Sequence, residues 1–318
     1  MPVRIALLLL SALLLTSIPA LAEDGLALLH RIAEGSRQLT YSGTFVYRSG
    51  ARADTSRIAH SFSNGLEFER IEALDGSPRE VLRVGSEVKC FFPEEKLLII
   101  ESRASQRGFP TLLPSGLGNL PEHYTIRSGS QGRVAGLKSR AVLLEPRDEW
   151  RYGHEFWMDA ASGLLLKARL LGVRGETLES FAFTQVKIGG PLEHGALSPA
   201  YDREGVRVQQ VRTTELRADD MGWTFRNLLP GFRKIAAMKR QAGAASPESM
   251  HVVFSDGLAS ISVFIEPGGS AAEQETTATL GPVNVYRRQI DEHRVVVMGE
   301  VPALAVRRLG DGIERKHK

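Results

Sequence analysis

The stretch Arg147-Asp148-Glu149-Trp150-Arg151-Tyr152-Gly153-His154-Glu155-Phe156-Trp157 concentrates charge, an imidazole and four aromatic rings in eleven residues, with Glu145 just before it. A histidine beside a glutamate can relay a proton, and flanking aromatics can exclude water. His154 and Glu155 are therefore candidates for general acid–base work in a hydrolase. The same pattern equally describes a hairpin whose charges pair along one side while its rings pack on the other. Nothing else in the chain supports the catalytic reading. The eight histidines are dispersed, the nearest two being His293 and His317, and there is no HExxH, no His-x-His and no cysteine pair. A local metal motif is thus missing. Leu113-Pro114-Ser115-Gly116 lacks the first glycine of a G-x-S-x-G elbow, and Asp159-Ala160-Ala161-Ser162-Gly163 suits a hairpin turn better than a nucleophile. Neither a dinucleotide fingerprint nor a phosphate loop occurs. The expectation is a binding protein, not an enzyme, with no cofactor and no metal.

A second cluster suits binding better. Trp223, Phe225, Leu228, Leu229 and Phe232 stand close together around Pro230-Gly231, with Arg226, Arg233, Lys234, Lys239 and Arg240 among and after them and no acidic residue between Met221 and Pro247. Aromatics beside arginines are the stuff of interface hot spots, and the local positive charge would attract an acidic peptide or a phosphorylated lipid. The competing reading makes the aromatics the core of their own domain and the cations its solvated face. The candidate partner-binding residues are Trp223, Phe225, Phe232, Arg233, Lys234 and Arg240.

The elements that must position these groups begin after an export signal. Arg4 precedes an apolar run from Ile5 to Leu15, Pro19 breaks it, and Ala20-Leu21-Ala22 offers a signal peptidase its small-x-small site. Residues 1–22 read as a cleavable signal peptide, the run being too short for a membrane span, and no cysteine follows to carry a lipid anchor. A formal charge of +3 is too small to argue for nucleic acid, and arginine dominates over nine lysines. Cys90 is the single cysteine, which excludes an intramolecular disulfide. The remaining length is comfortable for two domains.

Asp24–Gln38 has the periodicity of an amphipathic helix, with Leu26, Leu29, Ile32 and Ala33 on one face and Leu28 at its edge. From Tyr41 to Ile188 the chain is a succession of about ten short β-branched and aromatic runs separated by turn residues such as Asp75-Gly76 and Ser162-Gly163. Such spacing predicts an antiparallel sheet that curls around the helix and leaves a concave face for a ligand. Phe45, Leu82, Phe91, Leu98, Leu112, Leu113 and Leu117 are the expected groove residues, the last three lying in the Gly/Pro/Ser-rich segment Arg103–Glu122, which suits a lid. The pattern weakens after Gly189-Gly190-Pro191, so the chain divides into 23–203, a linker at 204–214, and a smaller unit at 215–318 with five strands and a helix opening at Pro302.

Several of these segments are similar to one known family. Tyr41-Ser42-Gly43-Thr44-Phe45-Val46-Tyr47, the Arg147–Trp157 stretch, Ser162-Gly163-Leu164-Leu165-Leu166-Lys167, Gly222-Trp223, Leu229-Pro230-Gly231-Phe232 and His251-Val252-Val253-Phe254-Ser255-Asp256-Gly257-Leu258-Ala259-Ser260 resemble the MucB/RseB family in the same order. The resemblance implies an α+β, β-rich fold: a large lipoprotein-carrier-like half-barrel wrapped around helix, followed by a smaller β-sheet domain with a C-terminal helix. It implies a periplasmic negative regulator of an envelope-stress sigma factor. Such a protein binds the periplasmic domain of a membrane-spanning anti-sigma factor and shields it from regulated proteolysis. It is displaced by lipopolysaccharide or another acyl-chain amphiphile such as mislocalised lipoprotein. A homodimer stays open, and a periplasmic lipid or lipoprotein carrier is the alternative reading, against which the second domain counts.

Overall fold

Helix α1 (Gly25–Gln38) starts where Asp24 accepts a hydrogen bond from the Leu26 amide at 3.2 Å, an N-cap that satisfies one orphan donor of the first turn. Leu28, Leu29, Ile32 and Ala33 are its buried face, while Leu26 is half-buried, so the helix is rotated toward Leu28 relative to the face read from periodicity alone. The rotation has a steric origin. Gly35 lies so close to the Ser162-Gly163 turn that a Cβ there would stand 2.8 Å from the Gly163 carbonyl carbon. The computed structural model describes residues 24–102, 113, 117–202, 204–217, 221–242, 247–268 and 275–316; the expected signal peptide, Leu112 and most of the Arg103–Glu122 segment lie outside them.

After α1 come β1 (Tyr41–Ser49), β2 (Arg52–Ser63), β3 (Leu66–Ala73), β4 (Glu80–Val84), β5 (Glu87–Phe92) and β6 (Leu97–Ser102), an antiparallel meander. A single turn of helix, α2 (Leu120–His123), leads into β7 (Tyr124–Val134), β8 (Leu137–Pro146), β9 (Gly153–Asp159), β10 (Leu165–Leu171) and β11 (Thr177–Ile188). β11 returns to pair with β1, giving the order β6-β5-β4-β3-β2-β1-β11-β10-β9-β8-β7. α1 touches β2 and also β7 and β8. In a flat sheet β2 and β7 would be about 29 Å apart at roughly 4.8 Å per strand, and a helix is only about 10–12 Å across. The sheet is therefore curled around α1 as an open half-barrel. β2 escapes sequence reading because its inward residues are mostly polar: Asp54, Ser56 and His60 interrupt the apolar alternation.

The expected linker is a strand. β12 (Arg207–Glu215) runs parallel to β6 through Arg207–Gln210, then antiparallel to a strand of the second unit through Val211–Glu215. It thus sews the two sheets into one hydrogen-bonded surface. The correction has a physical reason: Val208 and Val211 are the only apolar residues of β12, and the missing pattern is supplied by main-chain pairing on both sides.

The second unit holds β13 (Trp223–Phe225), β14 (Arg233–Ala242), β15 (Ser249–Ser255), β16 (Ser260–Pro267), β17 (Thr276–Leu280), β18 (Val283–Ile290), β19 (His293–Gly299), α3 (Ala303–Asp311) and β20 (Ile313–Arg315). The sheet order is β12-β14-β15-β16-β19-β18-β17, and β13 pairs with β20 to clasp the C-terminus. α3 packs Ala305, Val306 and Leu309 onto Val252, Ile261, Val263, Val295 and Val297. Each unit has its own apolar core.

Candidate functional site

Strand parity divides the expected groove. Ile71 packs against the α1 core, and the ladder Ile71–Val81–Cys90–Ile99 shares its face. The neighbouring ladder Glu72–Glu80–Phe91–Leu98 must point the other way, because successive side chains alternate across a sheet. Phe91, Leu98 and Leu82 are thus on the outer face of the half-barrel, and Phe91 and Leu98 are fully buried there. The chain after β11 covers that face: the Tyr201 ring lies 6.0 Å from Phe91, and the Ala200 amide donates to Glu80 Oε1 at 2.8 Å. Phe45, Leu113 and Leu117 do face the helix and belong to the inner core. The structure therefore brings together three of the seven groove candidates, places three outside the concave face, and leaves Leu112 outside the described residues. Cys90 is half-buried on the inward side and forms no disulfide.

The inner wall is not wholly apolar. Tyr41 stacks on His60 at 4.7 Å, and His60 is held between the Leu39 carbonyl (2.8 Å) and Glu67 (3.2 Å). Glu69, beside them, is fully buried with neither carboxylate oxygen hydrogen-bonded, and Arg83 approaches only to 3.8 Å. Burial pushes its carboxyl up to about 7, against the pull of Arg83 and His60. Nearby, His30, Ala33, Glu34 and Arg37 of α1 and Phe62 of β2 border a cleft of about 260 Å³.

The charged and aromatic stretch leading into β9 is more than an ion-paired hairpin. It is the junction between the two units. Arg151 is completely buried; its guanidinium donates to Asp256 (2.6 Å), Asp148 (3.0 Å) and the Pro230 carbonyl (2.6 Å). The same group lies 5.5 Å from the Tyr124 ring centre and 5.2 Å from that of Phe232, and Tyr124 also donates to Asp256 at 3.2 Å. The guanidinium of Arg308, from α3, stacks over Trp150 at 4.9 Å, and Asn284 donates to the Tyr152 hydroxyl at 3.1 Å. Side chains are exchanged reciprocally: Trp150 packs against the second core, and Leu258, from the β15–β16 turn, packs against the first. A further contact sets two carboxylates together. Glu179 of β11, which takes a hydrogen bond from Tyr47, faces Glu300 after β19; Glu300 keeps an exposed side chain, and local desolvation with this like charge pushes its carboxyl up to about 7.

His154 and Glu155 are adjacent on β9 and so lie on opposite faces. His154 is half-buried and stacked on Phe156 (5.5 Å), its imidazole driven down to about 4 by desolvation, while Glu155 is paired with Arg169 at 2.8 Å. No nucleophile–base constellation arises from them. In the second patch, Trp223 and Phe232 are core, and Phe225 packs at 5.2 Å from Phe254. These aromatics serve the domain that carries them. Arg240 reaches back to Glu101 at 3.0 Å as another tie across the junction. Arg233 and Lys234 remain exposed, beside exposed Ile235 and Leu228. Sequence reading missed Asp256 and Leu258 because a turn residue that plugs a neighbouring domain has no periodicity to announce it.

Comparison with known proteins follows the same division into two units. Residues 24–201 match the MucB/RseB N-terminal domain and residues 217–314 the MucB/RseB C-terminal domain. The chain is 34% identical over 308 residues to the sigma factor AlgU regulatory protein MucB of Pseudomonas aeruginosa, covering 93% of this chain and 92% of that protein. It is 24% identical over 297 residues to the sigma-E factor regulatory protein RseB of Escherichia coli K12, covering 91% and 90% respectively. A crystal structure of MucB in complex with MucA(peri) superposes with a TM-score of 0.73 at 31% identity, over 93% of this chain and 100% of that one. A crystal structure described as MucB superposes with a TM-score of 0.65 at 28% identity, over 92% and 98%.

Proposed function

Because this chain belongs to the MucB/RseB family, we propose that it is a periplasmic negative regulator of an envelope-stress sigma factor. It binds the periplasmic region of a membrane-spanning anti-sigma factor, and an acyl-chain amphiphile such as lipopolysaccharide releases it. The observation that carries this reading is the match of both units, in order and at full length, to MucB in complex with MucA(peri). The physical form is reciprocal linkage. If amphiphile and partner prefer different arrangements of the two units, each weakens the other by the same factor. A coupling of about 1–3 kcal/mol, roughly 5–150-fold, suffices for a switch.

The half-barrel would take the amphiphile along the face that carries Phe45, Leu113 and Leu117. The partner surface centres on exposed Arg233, Lys234, Ile235 and Leu228, where a basic and apolar patch suits an acidic, amphipathic segment. Calorimetric titration of the mature chain with the periplasmic segment of its cognate anti-sigma factor tests the proposal. The expected result is tight binding that weakens about tenfold or more with lipopolysaccharide present and that falls on Arg233→Glu with Lys234→Glu. Absence of binding to that segment, with acyl amphiphile still bound, would overturn the regulator reading and favour a carrier.

A further inference from the structure

We propose that Asn64 and Gly65 form a self-modification site: the Asn64 carboxamide and the Gly65 amide react with each other through a cyclic imide, with water as the only co-reactant, and leave aspartate or isoaspartate at the tip of the β2–β3 hairpin. The inference is independent of the regulator reading. The chain has four asparagines, and only Asn64 precedes a glycine. Leucine follows Asn119 and Asn227, and valine follows Asn284, so a branched side chain crowds the attacking nitrogen at each of those positions. Asn284 is also held in place, its amide donating to the Val301 carbonyl (2.8 Å) and the Tyr152 hydroxyl (3.1 Å). The Asp-Gly pairs, which could form the same ring, are tied down as well. Asp24 caps α1, Asp75 accepts from the Thr55 amide at 2.8 Å, Asp256 accepts from the Leu258 and Ala259 amides, and Asp311 accepts from Tyr286 at 2.7 Å. Asn64 is exposed, and its carboxamide makes no hydrogen bond among the described residues. The Gly65 amide donates to no carbonyl among them, and a Cβ built on Gly65 would meet nothing within 4 Å.

The tip has φ of +52° at Asn64 and +78° at Gly65, with Ser63 paired to Leu66 across it. Two positive angles on Asn-Gly are what a two-residue hairpin turn requires. Ring closure runs from the opened tip, where the peptide between the two residues rotates to bring its nitrogen against the side chain. Opening an exposed turn is among the least costly local motions of a fold. The Gly65 nitrogen gives its proton to solvent and attacks Asn64 Cγ. The new N–Cγ bond forms, the Cγ–Nδ2 bond breaks, and Nδ2 takes a proton and leaves as ammonia. Water then opens the imide. Addition at Cγ restores the ordinary main chain with aspartate at position 64; addition at the main-chain carbonyl routes the chain through Cγ as isoaspartate. That second product lengthens the turn by one backbone atom. A two-residue turn cannot absorb the extra atom and still set Ser63 opposite Leu66, because loop geometry fixes hairpin register. The pairs behind it are Phe62 with Glu67 and His60 with Glu69. His60 also bonds Glu67 at 3.2 Å, and Phe62 borders the cleft beside α1. The modification thus loosens the rim of the half-barrel that covers the buried Glu69 carboxylate.

The test ages the full mature chain at 37 °C in neutral buffer, folded and, in parallel, unfolded in urea, and follows tryptic peptides by mass spectrometry. In the folded chain the Ile58–Arg70 peptide should gain the mass difference of amide to acid and split chromatographically into aspartate and isoaspartate forms. Its rate should be no slower than about a tenth of the unfolded rate, since the tip opens readily. The Asn227–Arg233 peptide serves as the internal control and should keep its amide: Asn227 is also exposed and has φ of +53°, but leucine follows it. Asn64→Gly keeps a turn that accepts positive φ and removes the reacting carboxamide, so it should show no mass gain. After ageing, amides of β2 and β3 in the parent chain should exchange with solvent about tenfold faster than in Asn64→Gly aged alongside. Asn64→Asp, which carries the charge without the extra backbone atom, should exchange like the fresh parent. If Asn64 in the folded chain is still an amide when the unfolded chain has converted fully, the turn protects the pair and the proposal is overturned. If Asn64 converts but exchange in β2 and β3 is unchanged, the loosening of the rim is overturned.

Discussion

The half-barrel buries charge and the second sheet buries almost none. Among the described residues, Glu69, Arg70, Glu80, Glu101 and Arg151 are all buried in the first unit. Arg70 is satisfied by Glu80 at 2.6 Å and Glu72 at 2.8 Å, on the outer face that Ala200 and Tyr201 cover. In the second unit the buried carboxylate is Asp256, and it points into the first. The second core, by contrast, is Val252, Ile261, Val263, Val295 and Val297 under one helix, an arrangement held by dense apolar packing. The contrast separates two kinds of structure. One is a module whose fold follows from hydrophobic patterning. The other is a container whose apolar core around α1 also takes in buried charge, and whose junction with the module is made in part of polar and ionic contacts that can be exchanged for water.

That contrast can be broken at the junction first. Arg151→Ala leaves Asp256 buried without its cation and is expected to cost about 3–5 kcal/mol, with denaturation splitting into two transitions. Arg151→Met combined with Asp256→Asn, which keeps a side-chain oxygen for the Leu258 and Ala259 amides, should recover most of the loss; a double variant as weak as the single one would show that the pair itself, not the orphaned charge, supplies the stability. Ile261→Ala comes next. It empties volume in the second core and should lower stability by about 2–4 kcal/mol, confined to the later segment's transition if the two units unfold separately. A uniform loss across both units in hydrogen exchange would contradict the division drawn here.

Titration sharpens it further. Glu69 holds its proton up to about pH 7 in the fold and releases it near the ordinary carboxylate value once unfolded. The native state therefore carries the extra proton between about 4.5 and 7, and stability from this group falls as pH rises through that window. Glu69→Gln should raise stability at pH 8 by about 1–3 kcal/mol and leave it little changed at pH 4. Glu300, driven up by local desolvation and by Glu179, acts in the same direction but on docking of the two units, so Glu300→Gln should protect the junction at pH 8 with a smaller effect on global unfolding. His154, held neutral down to about 4, has the opposite sign: its contribution is lost as pH falls from about 6.5 to 4. The smallest expected effect is Asp24→Ala, about 1 kcal/mol, read as faster amide exchange in the first turn of α1.

The sequence by itself determined the two-unit order, the helix at Asp24–Gln38, most strands of both sheets and the resemblance to the family. These rest on local periodicity, turn chemistry and composition, which a linear pattern carries. The tertiary structure decided the rest. Strand parity put Phe91 and Leu98 on the outer face, away from Phe45, because apolar residues look alike whichever side of a sheet they cover. Main-chain pairing made Arg207–Glu215 a strand without any apolar alternation to announce it. The meeting of Arg151 with Asp256 spans 105 positions; in sequence the first stands among the charges of a hairpin and the second only within a segment similar to the family. Only the docking of one core onto the other turns them into a buried pair, since burial is a property of what lies opposite a residue and not of the residue's own neighbours in the chain.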